Sequence, residues 1–499
     1  MIKMKNKLTN IIAVFTILFA VSGCTDDFIE RPIPYSIDSE SYFNSEEEYY
    51  NALIGAYDLL QSTYANVILG EIASNNTLCG GESATDVIGW QQVDDMIHTP
   101  VNSNLKDIWN WMFAGVNRAN YILEFQDKTD FEGKEIIIAE ARFLRAYYYF
   151  ELVKWFGPVP LKETRFQLED ETIIPRSPVE DVYALIESDL IYASNTLSYT
   201  APQIGRATKG SAEALLGKAY LYQEKFSDAA IVLENLIQNG PYDLVTDYDT
   251  IFESAGENGI ESVFEVQYTD VEGASFDCLQ CSEGNVAVGF SGVRNFDGPK
   301  FSPGFSFNVP TQDAVDEFEE NDVRKEVAIL DIEAFVANNP SWVNNDGELG
   351  VLYGIGYEHT GYFNRKYLPR KRSVNVAGDV NLTNPNNYRA IRFADVLLMA
   401  AEAFNRGSIS DDKARLYLNR VRTRATLDDV TSSGNALTDA IYDERRVELL
   451  GEGHQFFDLV RTGRGNQIDG FSANKNELFP VPFEEIQFSN GNWQQNPGY

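Results

Sequence analysis

Trp90 has the surroundings in this sequence that best suit a binding site for a small neutral ligand. It lies in 75–104, a stretch dominated by Gly, Asn, Asp and Thr that includes Asn75 and Asn76. An aromatic ring stacks on apolar C–H faces, and amide side chains hydrogen-bond to a rim of hydroxyls. The pattern predicts a long loop in which Trp90 is a stacking platform and the two asparagines are polar contacts. The alternative is that Trp90 folds back and pins its own loop.

A second polar stretch, 270–310, carries the same kinds of side chain. Phe290, Arg294 and Phe296 lie there among Gly and Asp residues. A guanidinium can hydrogen-bond neighbouring hydroxyls, and either phenylalanine ring can stack on the ligand. The alternative is that the phenylalanines pack the loop, which phenylalanine does as readily. This stretch is the second candidate for ligand contacts, and it becomes the first if Trp90 proves to be structural.

One group of charged residues near the C-terminus could be mistaken for an acid/base site. A catalytic carboxylate pair needs a cleft and shifted pKa values. Charges three and four residues apart on a predicted helix are more typical of ion pairs that fix packing, and we interpret the group in this way. The chain also has no nucleophile elbow with a triad, Walker A loop, zinc-protease motif or Rossmann fingerprint, so we predict that it is not an enzyme. The charged group consists of Glu444, Arg445, Arg446, Glu448, Glu452, His454 and Asp458.

The cysteines and histidines do not predict a cofactor or a structural metal. Cys278 and Cys281 have metal-type spacing, but there is no second such pair and the three histidines are scattered. We favour a local disulfide or free thiols. The carboxylates of 270–283 leave calcium open as an alternative, although their spacing does not match an EF-hand loop.

The N-terminus and the overall charge indicate an exported, anchored protein. Three lysines precede the apolar run 11–21, and small residues then precede Cys24, as in a bacterial lipobox. We predict a signal peptide over 1–23, lipid attachment at Cys24 and a tether over 24–44; the alternative is a plain secretory signal that contains a cysteine. The formal charge of −35 argues against nucleic acid as a partner, because nucleic-acid binding needs basic patches.

Long amphipathic helices are predicted to hold these loops. Residues 210–241 nearly match the tetratricopeptide pattern, 392–425 repeat its helix–turn–helix logic, and 135–156 have the pattern of a single long helix. Trp109 and Trp111 lie in another helical pattern, which predicts that at least one side of each indole ring packs in the core.

The sequence between the helical blocks has a different character. Residues 255–390 alternate short apolar runs with Gly-, Asn- and Asp-rich stretches, and connections this long are usually functional. We predict a mainly α fold, a tetratricopeptide-like helical repeat scaffold with an irregular, loop-rich ligand-binding insertion. The N-terminal helical part covers 45–254, the insertion 255–390 and the C-terminal helical part 391–499.

Several segments together resemble the SusD/RagB family of Bacteroidetes, and the similarity runs nearly from end to end. Their order and number carry the resemblance, since any one of them alone is weak. Besides the lipobox they are AEARFLRAYYYFELVKWFGPVPL (139–161), RATKGSAEALLGKAYLYQEKFSDAA (206–230), RFADVLLMAAEAFNRG (392–407), LNRVRTRA (418–425), ERRVELLGEGHQFFDLVRTG (444–463) and LFPVPFEEIQFSNGNWQQNPGY (478–499).

The resemblance implies a lipid-anchored protein on the outer face of the outer membrane. It implies that the protein binds an oligosaccharide and passes it to a SusC-like TonB-dependent transporter. The small neutral ligand expected at the two loops would then be a glycan. The acidic residues just after Cys24 resemble the family's export signal to the cell surface. A peptide-binding member of the same family is the first alternative, and a helical glycan-degrading enzyme is the second.

Overall fold

The computed structural model describes residues 41–167, 170–372 and 377–499, so Cys24, the predicted signal peptide and most of the tether lie outside the described residues. Within these ranges the chain is mainly helical, as predicted. None of the helices in the described part of the chain is long and apolar enough to cross a bilayer. In chain order the helices are α1 (Glu46–Asp58), α2 (Tyr64–Ile72), α3 (Ile88–Asp94), α4 (Ser103–Glu124), α5 (Lys134–Phe156), α6 (Asp170–Ile173), α7 (Val179–Thr196), α8 (Lys209–Tyr222), α9 (Phe226–Asn239), α10 (Val286–Ser291), α11 (Gln312–Asp316), α12 (Lys325–Ala328), α13 (Ile332–Asn338), α14 (Phe393–Arg406), α15 (Asp411–Arg424), α16 (Asn435–Glu448), α17 (Gln455–Arg461) and α18 (Phe483–Phe488).

The long helices pack in series, each against the next. Helix α5 packs against α4 and α7, α8 against α7 and α9, and α14 against α9 and α15. The predicted pairs are present as α8–α9 and α14–α15, each joined by a short turn, which is the arrangement of antiparallel helix hairpins. The Tyr and Phe residues of α5 are nearly all buried, so its aromatic stripe belongs to the core.

Local signals explain where the hairpin α8–α9 begins and how closely its helices pack. Thr208 caps α8 through a hydrogen bond from the backbone N–H of Ser211, whose side chain completes a capping box. Gly217 faces Leu233 of α9, and a Cβ added there would lie 2.4 Å from the leucine Cδ2. A glycine at this position therefore sets the helix separation.

Short antiparallel strand pairs attach the insertion to the helices. In chain order the described strands are β1 (Thr77–Leu78), β2 (Val159–Pro160), β3 (Arg176–Ser177), β4 (Ser262–Val266), β5 (Val309–Pro310), β6 (Ile329–Asp331), β7 (Tyr362–Asn364) and β8 (Tyr388–Arg392). Strand β4 pairs with β8 and so joins the two ends of the insertion, while β1 pairs with β5 and joins it to the segment after α2. The pairs β2–β3 and β6–β7 are local.

The stretch 75–104 is not the continuous loop that its composition predicted. Helix α3 occupies its middle, with Trp90 and Val93 buried one turn apart. A seven-residue helix has little amphipathic pattern, and this one depends on tertiary contacts such as the hydrogen bond from Asn102 Nδ2 to the carbonyl of Gly89. Phe290 likewise lies on a short helix, α10.

The charged residues near the C-terminus form ion pairs, as interpreted from their spacing. Arg392 lies 2.8 Å from carboxylate oxygens of both Glu448 and Glu452, and Arg324 lies 2.6 Å from Glu444. All of these side chains are buried. We refer to eight of these connected residues as the C-terminal ion-pair network: Glu261, Arg324, Lys366, Arg392, Arg424, Glu444, Glu448 and Glu452.

The remaining members of the predicted group also have protein partners. Arg445 bonds Asp395 at 2.6 Å and Asp458 at 3.2 Å, and Arg446 pairs with Glu317. His454 Nδ1 lies 3.3 Å from Lys218 Nζ, and burial lowers the pKa of the imidazole to about 3. The neutral histidine and the satisfied carboxylates fit a structural role for the whole group.

Two glycines test the packing of α8 against α9. Gly217→Ala is expected to destabilise the protein by about 1–3 kcal/mol, because the new methyl group overlaps Leu233. Gly55→Ala is the matched control, since Gly55 also lies inside a helix but has no atom within 4 Å of an added Cβ. The control should be stabilised by roughly 0.5–1 kcal/mol through the higher helix propensity of alanine. Unfolding midpoints measure both, and a Gly217→Ala midpoint that rises like that of the control would contradict the close approach.

Candidate functional site

A cavity of about 590 Å³ opens between the N-terminal helices and the insertion. Helices α2, α3 and α4 form one side of it, and the segments 276–280 and 290–307 form the other. Seven aromatic side chains line it: Tyr64, Trp90, Trp111, Phe276, Phe290, Phe305 and Phe307. Three of the residues predicted from the sequence, Trp90, Phe290 and Arg294, are therefore brought together.

Trp90 lies at the base of this cavity and is only 3% exposed. Its ring meets those of Phe290 and Phe307 edge-on, with centroid distances of 4.7 and 5.2 Å. Little of the indole surface is left for a ligand to stack on. The position of Trp90 therefore fits a structural side chain better than an exposed stacking platform. The indole N–H is buried and has no acceptor among the residues that the structure describes.

One face of α4 forms the wall of the cavity. Asn104, Asp107 and Trp111 follow one another at spacings of three and four residues, which places them on the same side of the helix. Trp111 is half-buried and packs against Tyr64 with a centroid distance of 5.9 Å. It therefore offers the aromatic surface that we had predicted for Trp90. The sequence did contain a signal, because a helix face that carries Asn and Asp beside Trp is not typical of core.

Asp107 is a carboxylate held in the wall without a partner. Within the described ranges no hydrogen bond or ion pair engages its side chain. Burial raises the pKa of the carboxyl to about 6, and the nearby Lys106 only partly offsets this. An unpaired, partly desolvated acid is destabilising, and such groups are more common at binding sites than elsewhere. Asp107 is available to accept hydrogen bonds from a bound molecule.

Arg294 borders the opposite wall. Its Nη2 donates to the carbonyl of Phe305 at 2.9 Å and lies 3.6 Å from Asp86 Oδ2. The side chain is 18% exposed, so the guanidinium is oriented by the protein and still reaches the cavity. Its remaining N–H groups can donate to ligand hydroxyls.

The rim is a short segment with a local disulfide. Five consecutive residues, 276–280, border the cavity, and Cys278 and Cys281 are joined, which is one of the two states favoured from their spacing. Phe276 is 56% exposed and meets Phe305 at a centroid distance of 5.7 Å. The rim adds an aromatic side chain that a ligand can reach from solvent.

Three predicted contacts do not lie at this cavity. Asn76 is buried and accepts a hydrogen bond from Arg446, while Asn75 accepts one from Gln455, so both amides serve the fold. Phe296 packs in a separate core of the insertion, beside Phe301 and Phe335. The prediction failed for these residues because nearness in sequence does not reveal which side of a turn a residue takes.

No group of acidic, cysteine or histidine side chains in the described part of the chain is arranged to hold a metal ion. Glu283, one of the carboxylates left open for calcium, instead accepts a hydrogen bond from Gln61 Nε2. The cavity offers hydrogen bonds and aromatic surface.

Family models and solved structures agree on what the chain is similar to. A model described as the SusD family matches residues 266–476, and one described as starch-binding associating with outer membrane matches residues 27–221. A solved laminarin-binding SusD-like protein is 32% identical with a TM-score of 0.83, over 92% of this chain and 100% of that chain.

Two further proteins are similar over most of their length. Surface glycan-binding protein A from Bacteroides thetaiotaomicron, solved in complex with laminarihexaose, is 25% identical with a TM-score of 0.79, over 90% of this chain and 99% of that chain. SusD-like protein P2 of Formosa agariphila is 26% identical over 99% of this chain and 100% of its own length.

The position of Trp90 predicts a structural effect when it is removed. Trp90→Ala should destabilise the protein by about 3 kcal/mol or more, as for other buried aromatic residues. Trp90→Phe is the control, because it keeps a ring between Phe290 and Phe307. Thermal unfolding of the two variants measures the difference. An unchanged midpoint for Trp90→Ala would show that the edge-on cluster does not support the cavity.

Proposed function

Because the chain belongs to the SusD family, we propose that it is a surface glycan-binding protein and that the cavity beside α4 is its binding site. The observation that carries this is the wall formed by Asn104, Asp107 and Trp111. It combines a reachable aromatic face with an unpartnered carboxylate. That combination matches a sugar residue, which has apolar C–H faces and a rim of hydroxyls.

The dimensions and charges of the cavity support an oligosaccharide over a small ion. A volume of about 590 Å³ lies in the ordinary range for ligand sites. Carboxylates outnumber the single arginine on its walls, which disfavours an acidic ligand. Trp111 and Phe276 supply stacking surfaces, while Asp107, Asn104 and Arg294 supply acceptors and donors. Laminarihexaose is the first ligand to test, because a relative was solved with it.

We also propose the cellular setting that the family resemblance implied. The protein is anchored through Cys24, faces the cell exterior and passes its oligosaccharide to a SusC-like TonB-dependent transporter. The description of one matching family model as associating with the outer membrane supports this setting. Recovery of the protein without a large membrane partner, from outer membranes solubilised in mild detergent at low salt, would count against the transporter.

We propose binding without catalysis, since the relatives named above are described as binding proteins. Incubation with laminarihexaose should leave the oligosaccharide intact, and the appearance of shorter products would favour the enzyme alternative. Binding of peptides in place of glycans would favour the other alternative, a peptide-binding member of the same family.

Trp111→Ala is expected to weaken laminarihexaose binding by about 5- to 150-fold. The range corresponds to the loss of about 1–3 kcal/mol of stacking, by analogy with bases stacked on aromatic residues. Its unfolding midpoint should fall less than that of Trp90→Ala, because Trp111 is only half-buried. Isothermal titration calorimetry and a melting curve measure the two effects.

The matched control for Trp111→Ala is Tyr121→Ala. Tyr121 is also half-buried on α4, but it lies outside the cavity and beside Arg165. Equal loss of affinity in both variants would point to a general effect on the helix and would remove the stacking assignment.

Cys24→Ala should release the protein from the membrane fraction, because the substitution removes the residue that we propose is acylated. Fractionation of cells that express the two forms, with protease added to intact cells, measures anchoring and exposure together. Cys79→Ala is the control, since Cys79 is a buried thiol of the folded domain. If Cys24→Ala stays with the outer membrane like the wild type, the anchor lies elsewhere.

A further inference from the structure

A second aromatic cavity opens beside the same helix, separate from the proposed glycan site. It has a volume of about 300 Å³, at the lower end of the range for ligand sites. Its walls come from α4, from Phe166 and from Trp493 near the C-terminus. None of its residues lines the first cavity.

The two cavities use different faces of α4. Asn104, Asp107 and Trp111 border the first, whereas Asn110, Phe113 and Asn117 border the second, again at spacings of three and four. With about 100° of rotation per residue, the two sets lie on neighbouring faces of the helix. Trp109 and Trp111, two residues apart, thus contribute to different cavities.

The second cavity has the aromatic surfaces that a sugar residue requires. Phe113 meets Phe166 edge-on at a centroid distance of 5.6 Å, and it lies tilted against Trp109 at a centroid distance of 4.8 Å. Both phenylalanines are half-buried, so part of each ring faces the opening. The base is closed by Trp109 and Trp493, whose centroids lie 6.0 Å apart.

Its polar groups include donors that the fold does not use. The indole N–H of Trp109 has no acceptor among the described residues, and it is not one of their fully buried polar atoms. The indole of Trp493, in contrast, donates to the carbonyl of Ile174 at 2.8 Å. The Asn117 oxygen accepts from the backbone N–H of Phe166 at 2.7 Å, which leaves its NH₂ group free to donate, and Asn110 is exposed at the mouth. The indole N–H of Trp109 and the amide groups can therefore donate to acceptors on a bound molecule.

We propose that this cavity is a second glycan subsite that binds one neutral sugar residue. Phe113 and Phe166 contact its apolar face, while Trp109 and the two asparagines bond its hydroxyls. The inference takes its ligand class from the proposed function, but it rests on different residues. The experiment must therefore report on the two cavities independently.

The six tryptophans allow one spectrum to report on both cavities. In protein labelled with ¹⁵N at the indole nitrogen, Trp90 and Trp111 report on the first cavity, and Trp109 and Trp493 on the second. Trp155 is the internal control, since its indole donates to Glu151 within the core. Single Trp→Phe variants assign the signals, and the full chain is titrated with laminarihexaose.

We expect the Trp109 signal to shift in a saturable way and to keep shifting in Trp111→Ala. Phe113→Ala should weaken this response by about 5- to 150-fold, the effect of losing one stacking partner, and leave the Trp90 and Trp111 responses unchanged. Asn110→Ala should also weaken it, and an exposed side chain can be removed without unfolding the protein. Tyr121→Ala, on the same helix, should change neither response.

Two results would overturn the subsite while leaving the proposed function standing. In one, Trp109 does not respond although Trp90 and Trp111 do. In the other, its response disappears in Trp111→Ala, which would show that it is transmitted from the first cavity. If neither Trp90 and Trp111 nor Trp109 and Trp493 shift, the result contradicts both the subsite and the proposed ligand. A shift of Trp155 parallel to that of Trp109 would indicate a general solvent effect and also reject the subsite.

Discussion

The C-terminal ion-pair network is the interaction on which the rest of the structure depends. It joins Arg324 and Lys366 of the insertion to Glu448 and Glu452 of the C-terminal helical part, with Arg392 at the junction. These charges are almost completely removed from water, so each is stable only while its partners are in place. Loss of one member of such a network typically costs about 3–5 kcal/mol, because the remaining charge is buried without compensation. The insertion has little regular structure of its own, and these bonds fix its position on the helices.

The position of the insertion decides whether a binding cavity exists. One wall of the proposed glycan site belongs to α4 and the other to the segment from Phe290 to Phe307, so neither part forms the site alone. The pairing of β1 with β5 ties the insertion to the chain just before α3, which carries Trp90 at the base of the cavity. Rigid packing below the opening leaves Trp111 and Phe276 as the surfaces that a ligand can reach. A binding surface held in this way requires little ordering when ligand enters, which favours affinity.

Helix α4 connects the proposed function with the further inference. Its buried side packs on α5, while two other faces carry aromatic and amide side chains toward separate cavities. Asp107 and the indole of Trp109 are both polar groups that the fold leaves without partners in the described part of the chain. Both groups are therefore available to hydrogen-bond to a ligand, and this is the basis on which the two proposals rest.

The helical scaffold could be predicted because its signals are local. Apolar residues spaced three and four apart, such as the buried stripe of α5, specify both the helix and its buried face. The structural role of the charges around Glu448 was also predicted, but the partners of Glu448 are Arg324, Arg392 and Arg424 from distant segments. The proposed binding site was predicted only in part. Trp90, Phe290 and Arg294 do meet, but the predicted platform is buried, and Trp111 takes its place in our proposal. Exposure is not a property of a residue and its neighbours in sequence. It depends on which distant segment covers the residue, and here Phe290 and Phe307 of the insertion cover Trp90. The sequence by itself therefore determined the helices and their packing faces, and only the tertiary structure decided which aromatic side chains remained open to a ligand.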